Sequence, residues 1–440
     1  MKSAILALTK AVRITIATTT AMTMAISIAA AMAVASSSAM AYPLYGSDDR
    51  AIGRLEQARL AHEGVIKGRE KIAGELLSLE EVDLRLLAHR DINLPATDKK
   101  FTKQLRALLG GDAKDYGLAV LDLSDLTAIR YGEHEGRVSR NPGSVGKVAI
   151  GLALFQSLAD TYPNDVTKRM DVLRDSQVTA DQFIISDSHS VRMWDRENRK
   201  LTRRALRVGD QASLIVFLDW MLSASSNAAA AMVMRETLLL KQFGTAYPLS
   251  SERGEAFFAE TAQQDLKQLL ETTLQGSMTR NGIDISQFRQ GSLFTRTGKK
   301  KVPGTNSYGT AREMMRFMLR MEQGHLVDEW SSRELKRMLY MTERRIRYAS
   351  SPALRSSAVY FKSGSWYGCE PEPGYECGKY RGNKRNLMNS IAIVESPAKE
   401  RNLYYLVSLT SNVLRKNSAV DHQSLATRIH RLIEQAHNDK

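Results

Sequence analysis

The chain has 440 residues, of which 43% are hydrophobic and 25% charged, proportions ordinary for a globular protein and enough to bury one large core or two to three smaller ones. Its formal charge of +14, with a pI near 9.6, favours anionic surfaces. Nucleic acid is the usual partner of so basic a chain, but the N-terminus argues against it.

Residues 1–41 read as a secretory leader. Lys2, Lys10 and Arg13 stand without an acid, the uncharged run "ITIATTTAMTMAISIAAAMAVA" follows, and Ala39 and Ala41 make an A-x-A pattern, with Ala33 and Ala35 as an earlier alternative. The run is long enough to span a bilayer as an uncleaved anchor, but its Thr and Ala make it only weakly hydrophobic, so cleavage after Ala41 is expected. Three positive and no negative charges leave with it, and +14 becomes +11 on the mature chain. The expected location is periplasmic or secreted. The charge then suits an anionic cell envelope, and nucleic acid is not expected.

Residues 42–98 read as an N-terminal helical extension and linker. Leu55 and Ala58, then Ile72, Leu76 and Leu79, recur at mostly helical spacing, interrupted by Gly64, Gly68 and Gly74. "FTKQLRALL" predicts a short amphipathic helix stopped by Gly110-Gly111. "YGLAVLDLSDLTAIRYGEH" predicts two strands joined by a tight Ser-Asp turn. An apolar helix is then expected from Ser144 to about Leu158. Residues 159 to about 290 show helical stretches and no clear strand alternation. Towards the C-terminus "SAVYFKSGSWYG", "LMNSIAIVESP" and "NLYYLVSLTSN" predict three strands, followed by the helix "SAVDHQSLATRIHRLIEQAH". Strands at both ends of the domain with helices between imply one sheet built from distant segments. The expected fold class is α+β: an antiparallel sheet of about five strands flanked by helices, formed by 99–147 and 306–440, plus an all-helical subdomain at 148–305. Candidate catalytic groups then lie where the helical insertion meets the sheet edge.

Cys369 and Cys377 sit in the Pro/Gly-rich "CEPEPGYEC". In an exported chain they are expected to close a small disulfide, since two thiolates with no nearby histidine fall short of a metal site.

Three short motifs carry chemistry. In "NPGSVGKVAI", Ser144 and Lys147 lie at i and i+3, on one face of a helix. A serine hydroxyl needs a neighbouring base, and a lysine desolvated beside apolar residues spends time neutral. Against this, S-x-x-K arises often by chance. Ser225-Ser226-Asn227 opens an Ala-rich run and reads equally as a helix cap. Lys362-Ser363-Gly364 lies on a predicted strand, where a lysine is often an edge residue turned to water, although Gly364 permits close backbone approach.

Their order and spacing resemble the class A β-lactamases and related D-alanyl-D-alanine peptidases: S-x-x-K, S-x-N about eighty residues on among helices, then K-[ST]-G on a late strand. The resemblance covers residues from about 100 to 437. It implies Ser144 as acylated nucleophile, Lys147 as its proton acceptor and Ser225 as proton shuttle to the leaving nitrogen. Asn227 would bind the substrate amide, and Lys362 and Ser363 its carboxylate. The backbone N–H groups of Ser144 and Ser365, just past Gly364, would form the oxyanion hole. No cofactor or metal is implied. The substrate class is a β-lactam or a D-amino-acid peptide of the cell wall.

Two departures matter. Ser226 stands where class A enzymes usually carry aspartate. The E-x-x-L-N pattern that supplies their deacylation base is missing; the nearest match, Glu271 in "ETTLQ", falls within an expected helix, and the basic loop "RQGSLFTRTGKKKVPG" takes the usual place. Trp194 is a candidate cleft wall or a core residue, and the Cys369–Cys377 loop a candidate rim. Three readings follow: an acyl-serine hydrolase of slow turnover, a working β-lactamase with another base, or a catalytically silent module binding wall fragments or β-lactams.

Overall fold

The computed structural model describes residues 51–343 and 345–438, and the leader read at 1–41 lies outside them. Helix α1 (Gly53–His62) turns Leu55 inward, after which the chain runs to residue 98 in coil and short 3-10 turns. Among the described residues of the extension, one regular helix therefore forms. Gly74 shows why: a Cβ there would come within 2.0 Å of the Ser357 carbonyl, so the chain is laid flat along the body and has no room to coil. Buried ion pairs fasten this stretch. Arg54 reaches Asp219 at 2.6 Å, and Arg85 reaches Glu395 at 3.0 Å.

Helix α2 (Lys99–Leu109) starts where the Asp98 carboxylate accepts from Phe101 N and ends at Gly110, whose φ of +61° few side chains tolerate. Then come β1 (Tyr116–Asp122), β2 (Arg130–His134), a 3-10 turn at Gly143–Gly146, α3 (Lys147–Thr161) and α4 (Val166–Asp175). The next stretch departs from expectation. The region read as all-helical also carries β3 (Gln177–Thr179) paired with β6 (Gln211–Ser213), and the hairpin β4 (Ser190–Asp195)–β5 (Lys200–Ala205). No residue of β5 is fully buried, so it shows none of the apolar alternation by which strands are recognised.

Helices α5 (Leu214–Leu222), α6 (Asn227–Phe243), α7 (Ser251–Glu260) and α8 (Gln263–Arg280) follow, as expected of this region. The strands β7 (Phe288–Arg289) and β8 (Tyr308–Gly309) pair across a loop holding the six-residue α9 (Arg296–Lys301). The chain closes with α10 (Ala311–Glu322), α11 (Glu329–Tyr340), β9 (Ala358–Gly368), β10 (Arg385–Ser396), β11 (Leu403–Ser411) and α12 (Ser418–Asn438).

The main sheet is antiparallel in the order β2-β1-β11-β10-β9, so strands from both ends of the domain do meet. Period-two alternation sorts its two faces. Val120, Val407, Val359 and Phe361 pack with Phe101 and Leu105 of α2 and Leu425 and Ile429 of α12. Tyr360 looks the other way, its ring 5.4 Å from that of Tyr340 on α11. The strand β9 is left at the sheet edge, directly against the turn that leads into α3.

Candidate active site

That turn is built by close backbone approach. Asn141 accepts from Gly143 N at 2.9 Å, and its own carbonyl accepts from Asn389 Nδ2 of β10 at 3.0 Å. A Cβ on Gly364 would fall 2.3 Å from the Pro142 carbonyl and 2.5 Å from Ser144 N, so only glycine fits. Gly143, at φ +53°, lies equally close on the other side, a Cβ there being 3.0 Å from Ser365 N. The backbone N–H groups of Ser144 and Ser365 are thereby held side by side.

Lys147 opens α3 and is fully buried. Its Nζ lies 2.9 Å from Ser144 Oγ, 2.8 Å from the Ser225 carbonyl and 2.7 Å from Asn227 Oδ1. Burial draws its amine down from 10.5 to about 7, against a smaller upward pull from the Asp187 carboxylate. A neutral amine has two N–H bonds and one lone pair. The carbonyl and Asn227 Oδ1 can only accept, so they take both N–H bonds and leave the lone pair for the Ser144 hydroxyl.

Ser225 joins α5 to α6 with φ +62°, a left-handed conformation unfavourable to serine. Its hydroxyl accepts from Lys362 Nζ at 2.9 Å. Lys362 is buried on β9, and burial together with the charges of Lys147 and Arg347 pushes its amine well below the lysine range. Ser144, Lys147, Ser225, Asn227, Lys362 and Gly364 thus form one contiguous group. With Asn227 Oδ1 engaged by Lys147, its amide nitrogen is left as donor.

Three residues escaped the sequence reading. Arg347 comes from a short turn before β9, at φ +54°, and donates to Ser363 Oγ at 2.8 Å and Ser365 Oγ at 3.2 Å. Both hydroxyl hydrogens stay free to meet a carboxylate beside the guanidinium.

Asp187 answers the departure at Ser226. Its Oδ2 accepts from Ser226 Oγ at 2.9 Å and from Ala228 N at 2.8 Å, while His189 Nδ1 lies 2.6 Å from Oδ1. A carboxylate absent from the S-x-N motif is supplied from another segment. Burial alone would raise the Asp187 pKa, but hydrogen bonds from His189 and Ala228 hold it well below the usual range.

Phe294, from the loop between β7 and β8, sets its ring 4.4 Å from Lys147 Nζ. Beside it the buried Gln290 fills the space at Gly146, where a Cβ would meet Oε1 at 2.0 Å.

Two further candidates make no hydrogen bond to this group. Glu271 lies on α8, and neither Ser144 nor Lys147 hydrogen-bonds to it. Trp194 stands on β4 with its Cβ 3.3 Å from the Cβ position of Gly53, lining a cavity of about 440 Å³ with Arg54, Asp219 and Trp220. None of the catalytic candidates borders that cavity, so Trp194 braces the N-terminal segment. Cys369 and Cys377 are disulfide-bonded, closing the loop that follows β9. Among the described residues no group of three or more His, Cys, Asp and Glu side chains is placed to hold a metal ion.

A family model described as the beta-lactamase enzyme family matches residues 100–433. No curated protein matches the chain. Among solved structures, a PBP-A mutant in its acyl-enzyme complex with penicillin G is 13% identical with a TM-score of 0.49, covering 78% of this chain and 100% of that one. The TLA-3 extended-spectrum beta-lactamase is 12% identical with a TM-score of 0.49, covering 76% and 98%. A beta-lactamase from Chitinophaga pinensis is 15% identical with a TM-score of 0.46, covering 77% and 98%.

Proposed function

We propose that this chain, which belongs to the beta-lactamase enzyme family, forms an acyl-enzyme at Ser144 with β-lactams or D-amino-acid peptides of the cell wall, and releases the β-lactam acyl group slowly. The observation that carries the reading is the buried Lys147 amine, 2.9 Å from Ser144 Oγ and with a pKa of about 7. Lys147 takes the Ser144 proton, Oγ bonds to the carbonyl carbon, and the oxygen gains negative charge between the N–H groups of Ser144 and Ser365. Each such donor lowers a barrier by about 3–4 kcal/mol. The Ser225 hydroxyl, turned donor-outward by Lys362 Nζ, passes a proton to the leaving nitrogen as the C–N bond breaks. Arg347, Lys362 and Ser363 hold the carboxylate on the leaving side, and Asn227 the amide on the acyl side.

Slow release follows from what surrounds the amine. Water must be activated to cleave the ester, yet an apolar ring covers Lys147 from the β7–β8 loop. The buried Gln290 Oε1 has no partner and could accept from a water, but an amide oxygen is too weak a base to drive hydrolysis. A D-peptide carboxypeptidase or transferase needs no separate base, since Lys147 can serve both half-reactions. The disulfide suits an oxidising compartment, and with the leader read at 1–41 we place the reaction outside the cytoplasm.

The test is intact-mass measurement over hours with benzylpenicillin, beside turnover of a chromogenic cephalosporin. A single stoichiometric burst, with the added mass mapped to Ser144 and lost in Ser144→Ala, is the expected result. Repeated turnover would establish a working β-lactamase instead, and no adduct at all would establish a binding module.

A further inference from the structure

We propose that Trp366 and Arg385 form a subsite for a carboxylate carried on the acyl side of the substrate, an inference that rests on acylation at Ser144. Strand β9 runs along the site. Lys362 and Ser363, with Arg347 beside them, mark the leaving-group end, and the Ser365 N–H marks the reacting carbonyl. The strand continues to Trp366, two residues and about 6–7 Å past Gly364 and on the same face as Lys362 and Gly364. A substrate seated with its leaving-side carboxylate at Arg347 therefore extends its acyl portion towards Trp366.

What it meets there is a prepared cation. The Arg385 guanidinium carbon lies 3.4 Å from the centre of the Trp366 ring, and Trp366 is 46% exposed. Arg385 is on β10, opposite Gly368 of β9. Among the described residues no carboxylate pairs with it, and its buried Nε has no hydrogen-bond partner. Its neighbours differ: Lys384 pairs with Glu370 at 3.0 Å and Arg415 with Glu372 at 2.8 Å. An arginine held over an indole ring is already ordered and loses less freedom when a carboxylate docks on its N–H fork. The disulfide-closed loop that follows β9 keeps this strand end in place.

Benzylpenicillin and carbenicillin test the subsite, because they differ by one carboxylate on the acyl side chain. Second-order rate constants for Ser144 acylation are measured by intact mass for both, and their ratio is followed. The carbenicillin-to-benzylpenicillin ratio is expected to fall tenfold or more in Arg385→Gln. It is expected to fall threefold or more in Trp366→Leu, whose exposed position makes loss of folding a minor concern, and the benzylpenicillin adduct reports that each variant has folded. A ratio unchanged in both variants overturns the subsite while leaving acylation intact. Absence of any benzylpenicillin adduct on the unmodified protein overturns the acylation reading, and the subsite with it.

Discussion

Replacing Phe294 by glutamate asks which group takes the Ser144 proton. Lys147 must be neutral to accept it, and its pKa of about 7 predicts an acylation rate that falls tenfold per unit as pH drops below 7 and levels off above 8. The Phe294 ring centre lies 4.4 Å from Nζ. A carboxylate at about that distance, at an effective dielectric of about 20, favours the ammonium by about 4 kcal/mol, and at about 1.4 kcal/mol per unit this is up to about three pKa units. Allowing for some screening, the limb in Phe294→Glu should move alkaline by about two to three units, slowing acylation at pH 7 by about fifty- to five-hundredfold. Phe294→Gln, of similar shape and no charge, should keep its limb near 7. Stopped-flow acylation by a fluorescent penicillin between pH 5 and 10 reads both, and mass measurement should show a shorter acyl lifetime in Phe294→Glu, where a water can now be activated. Were the introduced carboxylate the acceptor, the limb would move acidic. An acidic shift, or coincident limbs in the two variants, refutes Lys147 as the base.

Gly364→Ala should lower the acylation rate by about a hundredfold or more, because the methyl group drives the Ser144 and Ser365 N–H groups apart; a melting temperature within a few degrees of the parent separates this from unfolding. Asp187→Asn should shift the pH limb of acylation to the acid side of 7, since the Asp187 charge raises the Lys147 pKa and its loss lowers it. The opposite shift would show that Asp187 does not act on Lys147 electrostatically. Asp219→Ala removes the carboxylate that accepts two N–H groups of the buried Arg54 guanidinium and should destabilise the fold by about 1.5–3 kcal/mol in urea unfolding. A loss below 1 kcal/mol would mean that residues 53–98 are not fastened through this pair.

The residues legible in the sequence are those whose chemistry needs a fixed local spacing. Ser144 and Lys147 must lie within one turn, Ser225 and Asn227 at one helix junction, and Lys362 and Gly364 on one strand, so each pair leaves a short pattern. Asp187, Arg347 and Phe294 contribute through tertiary contact alone. Each is a single side chain from an irregular segment, reaching the site across 39, 16 and 147 positions in its contacts with Ser226, Ser363 and Lys147. The serine at 226 was the one local sign, since a motif that lacks its carboxylate invites a search for another. The β4–β5 hairpin escaped for a related reason: on β5 the consecutive Arg203 and Arg204 break the alternation that a half-buried strand would show.

Three basic side chains, Lys147, Lys362 and Arg347, converge on the site, and the Asp187 charge acts on Lys147. Without substrate, both amines are held down by burial, and a proton on one disfavours a proton on the other. In the proposed mechanism the substrate carboxylate is held by Arg347, Ser363 and Lys362 itself. It favours the Lys362 ammonium, which then holds the Ser225 hydroxyl as acceptor, and that positive charge in turn helps keep Lys147 neutral. On the proposed mechanism, binding an anion would therefore assign opposite protonation states to two lysines that share one burial environment: a cation to orient the shuttle and a free base to start the reaction. A neutral ester of the same substrate should accordingly lose acylation rate beyond its loss of affinity, because it leaves that assignment unmade.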